Sequence, residues 1–131
     1  MPFPEQWLKS AAEAAAGCPA YPMEAPEGAA LPYLIYGRTS TTREVPLLTA
    51  GIVVNPTAQF RVILYAATYS AVKTLASSVV AALHNFNGTA HGVTIRLCMA
   101  LDELDGSPDY LDGQDKPTFS VEQTYQIRWE E

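Results

Sequence analysis

The residues that could do chemistry are few, and the densest group of them is acidic. Asp102, Glu103, Asp105, Asp109, Asp112 and Asp115 fall in or beside one stretch that also holds Gly106, Pro108 and Gly113. So many oxygen ligands invite a calcium reading. An EF-hand loop, however, needs ligands at alternate positions, a central glycine and a closing Glu. Pro108 and Leu111 stand where ligands are wanted. Turn chemistry favours a solvated hairpin tip over residues 102–117, with a weak cation site as the alternative. His84, His91 and Cys98 fall on three different segments. A zinc site needs a fourth ligand and a convergence that this spacing does not suggest. His84 reads better as the end of a helix, where the dipole favours a cation. No GxSxG elbow, GxxxxGK[ST] loop or GxGxxG fingerprint occurs. Asn87-Gly88-Thr89 matches a glycosylation sequon but reads as a turn. No two carboxylates are spaced as an acid and a base. The expectation is a protein without catalysis, metal or cofactor.

Composition narrows the class further. Eight Lys and Arg against fourteen Asp and Glu leave a formal charge of -6. That balance argues against general affinity for nucleic acid, though not against a protein that lets DNA pass without holding it. Cys18 and Cys98 form no CxxC pattern, and two reduced thiols in a cytosolic product are expected. The 131 residues suit a single domain able to bury its own core. No apolar run approaches the roughly 20 residues of a membrane span. Met1-Pro2-Phe3-Pro4-Glu5 lacks the basic-then-apolar order of a secretory signal.

The positioning elements follow from periodicity. Glu5 to Ala16 predicts a helix with Trp7, Leu8, Ala11, Ala12 and Ala15 on one side, ended by Gly17 and Pro19. Residues 17–32 carry four prolines and predict an extended surface connection, which could become fixed against a neighbouring subunit. Tyr33 to Thr42 is the first expected strand. Residues 43–57 read as an unusually apolar loop, either packed at the domain edge or offered to another subunit. Gln59 to Tyr65 alternates as a half-buried strand, with Phe60, Val62 and Leu64 inward. From Tyr69 the period becomes helical: Val72, Leu75, Ala76, Val79, Leu83 and Phe86 form a stripe, Thr68 or Ser70 caps, and Asn87-Gly88 stops it. His91 to Leu104 and Thr118 to Trp129 are two more strands. In the former, Val93, Ile95, Leu97, Met99 and Leu101 are expected on the core side, opposite Thr94, Arg96, Cys98 and Asp102. The expected fold is α+β, in the order α-β-β-α-β-β: a mainly antiparallel four-stranded sheet with two helices on one face. Residues 1–32 would be a helix and arm, and 33–131 the α+β core.

Laid side by side, the strands gather Arg61, Arg96 and Arg128 on the polar sheet face, with Glu122 an obvious internal partner. The acidic residues collect in the 102–117 connection. Arginines on a sheet face are commonly just solvated or paired. The sharper reading is that they meet the acidic connection of a neighbour around Asp105, Asp109 and Asp112, fixing orientation.

The wording of the segments adds a resemblance. Leu31-Pro32-Tyr33-Leu34-Ile35-Tyr36 runs into Arg38-Thr39-Ser40-Thr41-Thr42-Arg43 and a loop. Phe60-Arg61-Val62-Ile63-Leu64-Tyr65-Ala66 follows, and Thr68-Tyr69-Ser70-Ala71-Val72-Lys73-Thr74-Leu75-Ala76 opens the long helix. This succession, with an acidic hairpin and a closing aromatic strand, resembles the tail completion or tail terminator proteins of long-tailed bacteriophages over residues 31–131. The Pro-rich region before it matches nothing in that pattern. The resemblance implies a structural virion protein, made in the host cytoplasm, that forms a hexameric ring at the head-proximal end of the tail tube. The ring stops tube growth and joins the tube to the head connector, and DNA passes through its lumen. The implied partners are further copies of the chain, the tube protein and the connector or stopper protein, with no membrane. On this chain the lateral contacts would use Arg61, Arg96, Arg128 and Glu122 with Asp105, Asp109 and Asp112. Arg43, Leu47, Leu48, Ile52, Val53 and Val54 would reach the tube or connector. Another neck component, such as a head-side stopper or tube subunit, and a small ligand-binding or regulatory α+β module are the alternatives.

Overall fold

The computed structural model describes residues 3–43, 55–110 and 116–130. Helix α1 spans Pro4–Ala16, with proline in its first turn, where a missing N–H costs nothing. Gly17 ends it in the left-handed conformation (φ 69°), its N–H donating to the Glu13 carbonyl at 2.8 Å. The Glu13 carboxylate then accepts from the Ala20 N–H at 3.1 Å, tying the helix to the segment that follows.

The strands are β1 (Ala20–Pro22), β2 (Tyr33–Thr42), β3 (Thr57–Ala66), β4 (Gly88–Ala90), β5 (Val93–Asp105) and β6 (Phe119–Trp129), and helix α2 (Tyr69–Leu83) lies between β3 and β4. They form one six-stranded sheet in the order β1-β2-β3-β6-β5-β4. All neighbours are antiparallel except β1 and β2. The mixed α+β class and the four long strands agree with the periodicity, but the expected four-stranded sheet is corrected to six. The two additions are three-residue edge strands, too short for period two to register. One of them falls inside the Pro-rich connection: β1 pairs Ala20 to Pro22 with Leu34 to Tyr36.

Both helices lie on the same face of the sheet, against Phe60, Val62 and Leu64 of β3 and Val121, Tyr125, Ile127 and Trp129 of β6, all essentially sealed from solvent. Thr68 caps α2 by accepting from the Ala71 N–H at 3.1 Å. The helix stops at Leu83, short of Asn87-Gly88, because Asn85 turns into a positive φ (65°) and pairs with β5. Phe86 therefore lies beyond the helix and stacks on Trp7, ring centroids 4.7 Å apart, where it locks α1 to the end of α2.

The expected facing of β5 is corrected too. Register shifts between Ile95 and Leu97 and between Ala100 and Asp102 each insert a residue. After the first, Cys98 is buried and Leu97 and Met99 are turned out. After the second, Glu103 and Asp105 reach the helix side, where they meet Lys73. Strict alternation cannot survive two bulges, since each reverses every side chain downstream. The outer face of β5 is consequently not polar, and Leu97, Met99, Leu101 and Leu104 are all exposed.

Both flanks of the sheet are closed early. On one side β1 ends at Pro22. On the other, β4 covers only Val93 to Ile95. Beyond it, the Asn85 N–H donates to the Cys98 carbonyl (2.7 Å), the Cys98 N–H to the Phe86 carbonyl (3.0 Å) and the Ala100 N–H to His84 Nδ1 (3.0 Å). Asp102 Oδ1 accepts from the Glu103 N–H at 2.8 Å. The edge groups of Cys98 and the N–H groups of Ala100 and Glu103 are thus occupied within the chain.

Candidate assembly surfaces

The basic residues singled out from the sequence occupy three environments. Arg61 is on the outer face of β3, with Nε 3.3 Å from the Glu122 carboxylate, the partner that the strand alignment suggested. Arg96 projects at the first bulge of β5 and pairs with Glu130. Arg128 is exposed on β6, level with Leu97, and has no ion pair among the described residues. Thr57 pairs with Arg128 and Thr124 with Arg61, so Arg61 and Arg128 share a face but stand roughly 13 Å apart along it.

The acidic residues lie at the other end of the β5–β6 ladder. Asp105 pairs with Val121 and Leu97 with Arg128, which separates the acidic and basic ends by roughly 23 Å. Asp105 is not idle: its carboxylate accepts from Lys73 Nζ at 2.9 Å and from the Tyr69 hydroxyl at 2.9 Å. The Lys73 ammonium, with the Tyr69 hydroxyl, holds that carboxyl below its ordinary value, and Lys73 in turn is raised by its hydrogen bonds to Asp105 and Glu103. Lys73 also reaches Glu103 at 3.2 Å. Asp109 lies in the hairpin beyond β5, bridged through its backbone to Thr118. Asp112 lies outside the described residues, as do Leu47, Leu48, Ile52, Val53 and Val54 of the expected axial surface, whereas Arg43 is exposed just past the end of β2.

Three polar side chains escaped the sequence reading, and each carried a signal. Arg38 shares the period-two face of Leu34 and Tyr36, so it points toward the helices. Its guanidinium lies over the rings of Phe60 (5.3 Å) and Trp129 (4.9 Å) and donates to Glu5 at 2.6 Å and to Thr41 at 3.1 Å. Gln123 is in phase with Val121 and Tyr125 and is only 1% exposed. Its amide donates to the Ala76 carbonyl and to Glu103, both at 2.9 Å, and accepts from the Tyr125 hydroxyl at 2.6 Å. Burial pushes the Tyr125 phenol upward, keeping it a donor. Lys73, one helical turn from Tyr69, is the third.

The two cysteines are free and buried. Burial pushes the Cys98 thiol up to about 12, so it is an inert packing group. His84 caps the end of α2, its backbone N–H donating to the Val80 carbonyl at 2.9 Å, and its ring Nδ1 accepts from the Ala100 N–H. Among the described residues no three His, Cys, Asp or Glu converge as a metal site, and no helix is long and apolar enough to cross a membrane. What the surface offers is a charge-separated ladder and exposed apolar side chains, the materials of protein contacts.

Comparison with known proteins decides the family. The family model for tail completion protein gp17 matches residues 6–130. The chain belongs to the tail completion protein gp17 family. The match takes in α1 and the Pro-rich connection, which the resemblance over residues 31–131 had left aside. Among solved structures, a chain from the virion of a native gene transfer agent particle superposes with a TM-score of 0.64 at 15% identity, covering 92% of this chain and 84% of its own. A second solved chain gives 0.58 at 16% identity, covering 95% and 89%. At such identities these two establish a shared fold. No curated protein matches the sequence. As a tail completion protein, the chain is a structural component of a phage virion, and its family is not one of enzymes.

Proposed function

We propose that the chain is a tail terminator subunit, whose copies close into a hexameric ring at the head-proximal end of the tail tube, stop tube growth and join the tube to the head connector. The observation that carries this reading is the separation of charge along the β5–β6 ladder, acidic around Asp105 and Asp109 and basic around Arg96 and Arg128. A molecule with opposite signs at opposite ends of one ladder suits repeated contact with a neighbour in one orientation, and heterologous contacts of that kind close into a ring when the rotation from copy to copy closes. Family membership and the likeness to a chain of an assembled particle support it. Arg128 and Asp109 are the members of each group that reach out first, because Arg61, Arg96 and Asp105 already hold internal partners. The chain's negative charge fits a lumen through which DNA slides without sticking. Arg43 and the apolar residues 47–54 supply the axial contact with tube or connector.

The test is stoichiometry and position together. Native mass spectrometry of the pure protein should give a ring of six, and a label fused to it should mark the neck of each virion once. A protein that stays monomeric both alone and with tail tubes, or a label spread along the whole tail, overturns the reading.

A further inference from the structure

The two flanks of the sheet do not end alike. On the β5 flank, groups along the edge are taken by residues 84–86 and by Asp102. On the other, β1 covers only Leu34 to Tyr36 of β2. There the Leu34 N–H donates to the Pro19 carbonyl at 3.0 Å, and the Tyr36 carbonyl accepts from the Met23 N–H at 2.7 Å. The main-chain groups of these alternate residues thus face away from β3. Met23 then turns the chain off the sheet (φ 63°), and Gly37 to Thr42 run on with β3 on one side and no strand on the other. Arg38 continues the phase of Leu34 and Tyr36. The register shift between Arg38 and Ser40 then passes that phase to Thr41, whose partner Ala58 is buried and whose hydroxyl accepts from Arg38 on the helix side. The N–H and C=O groups of Arg38 and Thr41 therefore point past the edge, and none of them has a partner among the described residues.

We infer that this edge receives an extended segment of a different virion protein, which joins the sheet as a strand through the main-chain groups of Arg38 and Thr41. In such a contact main-chain bonds supply the affinity and side-chain pockets the selectivity. Thr39-Ser40-Thr41-Thr42 favours strand structure and has neither the lysine nor the proline that guards a free edge. Beside the opening Met23, 68% exposed, lies over Gly37, whose missing side chain leaves room for the thioether. With Ile35, Thr39 and Ile63 it lines a shallow hollow on the outer face. Thr39, Ser40 and Thr42 are the exposed side chains of the run, and all are uncharged. The segment that fits is therefore uncharged too, and sets one apolar side chain against the adaptable sulfur of Met23. A second copy is not that occupant. Its β5 edge is taken, and pairing β2 with β2 runs about a two-fold axis and stops at two chains. The ring reading, on which this exclusion rests, needs a contact that repeats.

Amide exchange at single-residue resolution reads this on the unmodified chain in three states: isolated, as a ring, and in complete virions. The Arg38 and Thr41 amides should exchange freely in the first two and slow about tenfold or more in the virion. Slowing already in the ring would make a second copy the occupant and overturn the inference, and so would free exchange in the virion. In both cases the ring stands. If the protein never forms rings, alone or on tails, the ring reading falls and the inference with it. Independently, Thr41→Pro removes an edge N–H at a position where proline is tolerated, whereas Thr41→Val keeps it. The yield of infective virions should fall about tenfold with Thr41→Pro and stay near wild type with Thr41→Val, both forming rings normally. Equal yields from the two variants overturn the inference. Should Thr41→Pro fail to fold, exchange on the unmodified chain still decides.

Discussion

At the scale of single residues, the side chains that matter most to this fold are polar ones facing the wrong way for their type. Gln123 bridges three elements: a helix carbonyl, a carboxylate of β5 and a phenol of its own strand. Replacing it by alanine leaves the Tyr125 hydroxyl without its acceptor in the core. The expected cost is about 1–3 kcal/mol, the range for a stranded buried group, measured as a lower urea midpoint. Gln123→Leu fills the space but strands the same hydroxyl, so it too should fall below wild type. If both variants match wild type, the bridge contributes nothing. Arg38 is the other case, a guanidinium spread over two core rings and fastened to α1 through Glu5. Both residues were legible in principle from the two-residue period. A buried amide or guanidinium is so unusual that a polar residue within an apolar strand is naturally read as facing out.

Elements were legible where they were long and became illegible where the chain broke its own period. Helix α1 and strands β3 and β6 follow directly from spacing, because each buries one uninterrupted face, and β2 follows it as far as the register shift between Arg38 and Ser40. Strand β5 does not. Its residues alternate cleanly on paper, yet two bulges turn Cys98 inward and Leu97 and Met99 outward. Nothing local announces a bulge; it is set by pairing with β6. The charge groups suffered from the same cause, since the second bulge takes Asp105 to the helix side and gives it to Lys73. That pin has a pH window. The Asp105 carboxyl is depressed, so its contribution is complete above its ordinary value of 3.8 and fades as pH falls through the lower folded value. Lys73 is raised, so its contribution is complete below 10.5 and fades as pH rises through the higher folded value. Protection of amides near the end of β5, taken relative to the intrinsic exchange rate at each pH, should therefore be high at neutral pH and fall in acid below about 3.8. In Asp105→Asn that acid step should shrink; an unchanged step would assign the protection to other contacts.

For the whole molecule, the prediction concerns assembly. Reversing charge at both Arg96 and Arg128 removes the basic end of the ladder, so ring formation should weaken and its salt dependence should flatten. The monomer's circular dichroism and thermal midpoint should change little, because both side chains are exposed and surface pairs contribute about 0–1 kcal/mol. Sedimentation at low and high salt separates the outcomes, and a double variant that assembles like wild type removes the arginines from the lateral contact. The same scale gives meaning to the way the sheet ends. Each flank closes with a three-residue strand, one finishing in proline, and the exposed run of β5 has its edge groups occupied by residues 84–86 and Asp102. Along that run of β5 a second chain finds the edge already taken. A contact between copies on that flank must therefore be made by side chains and not by strand pairing.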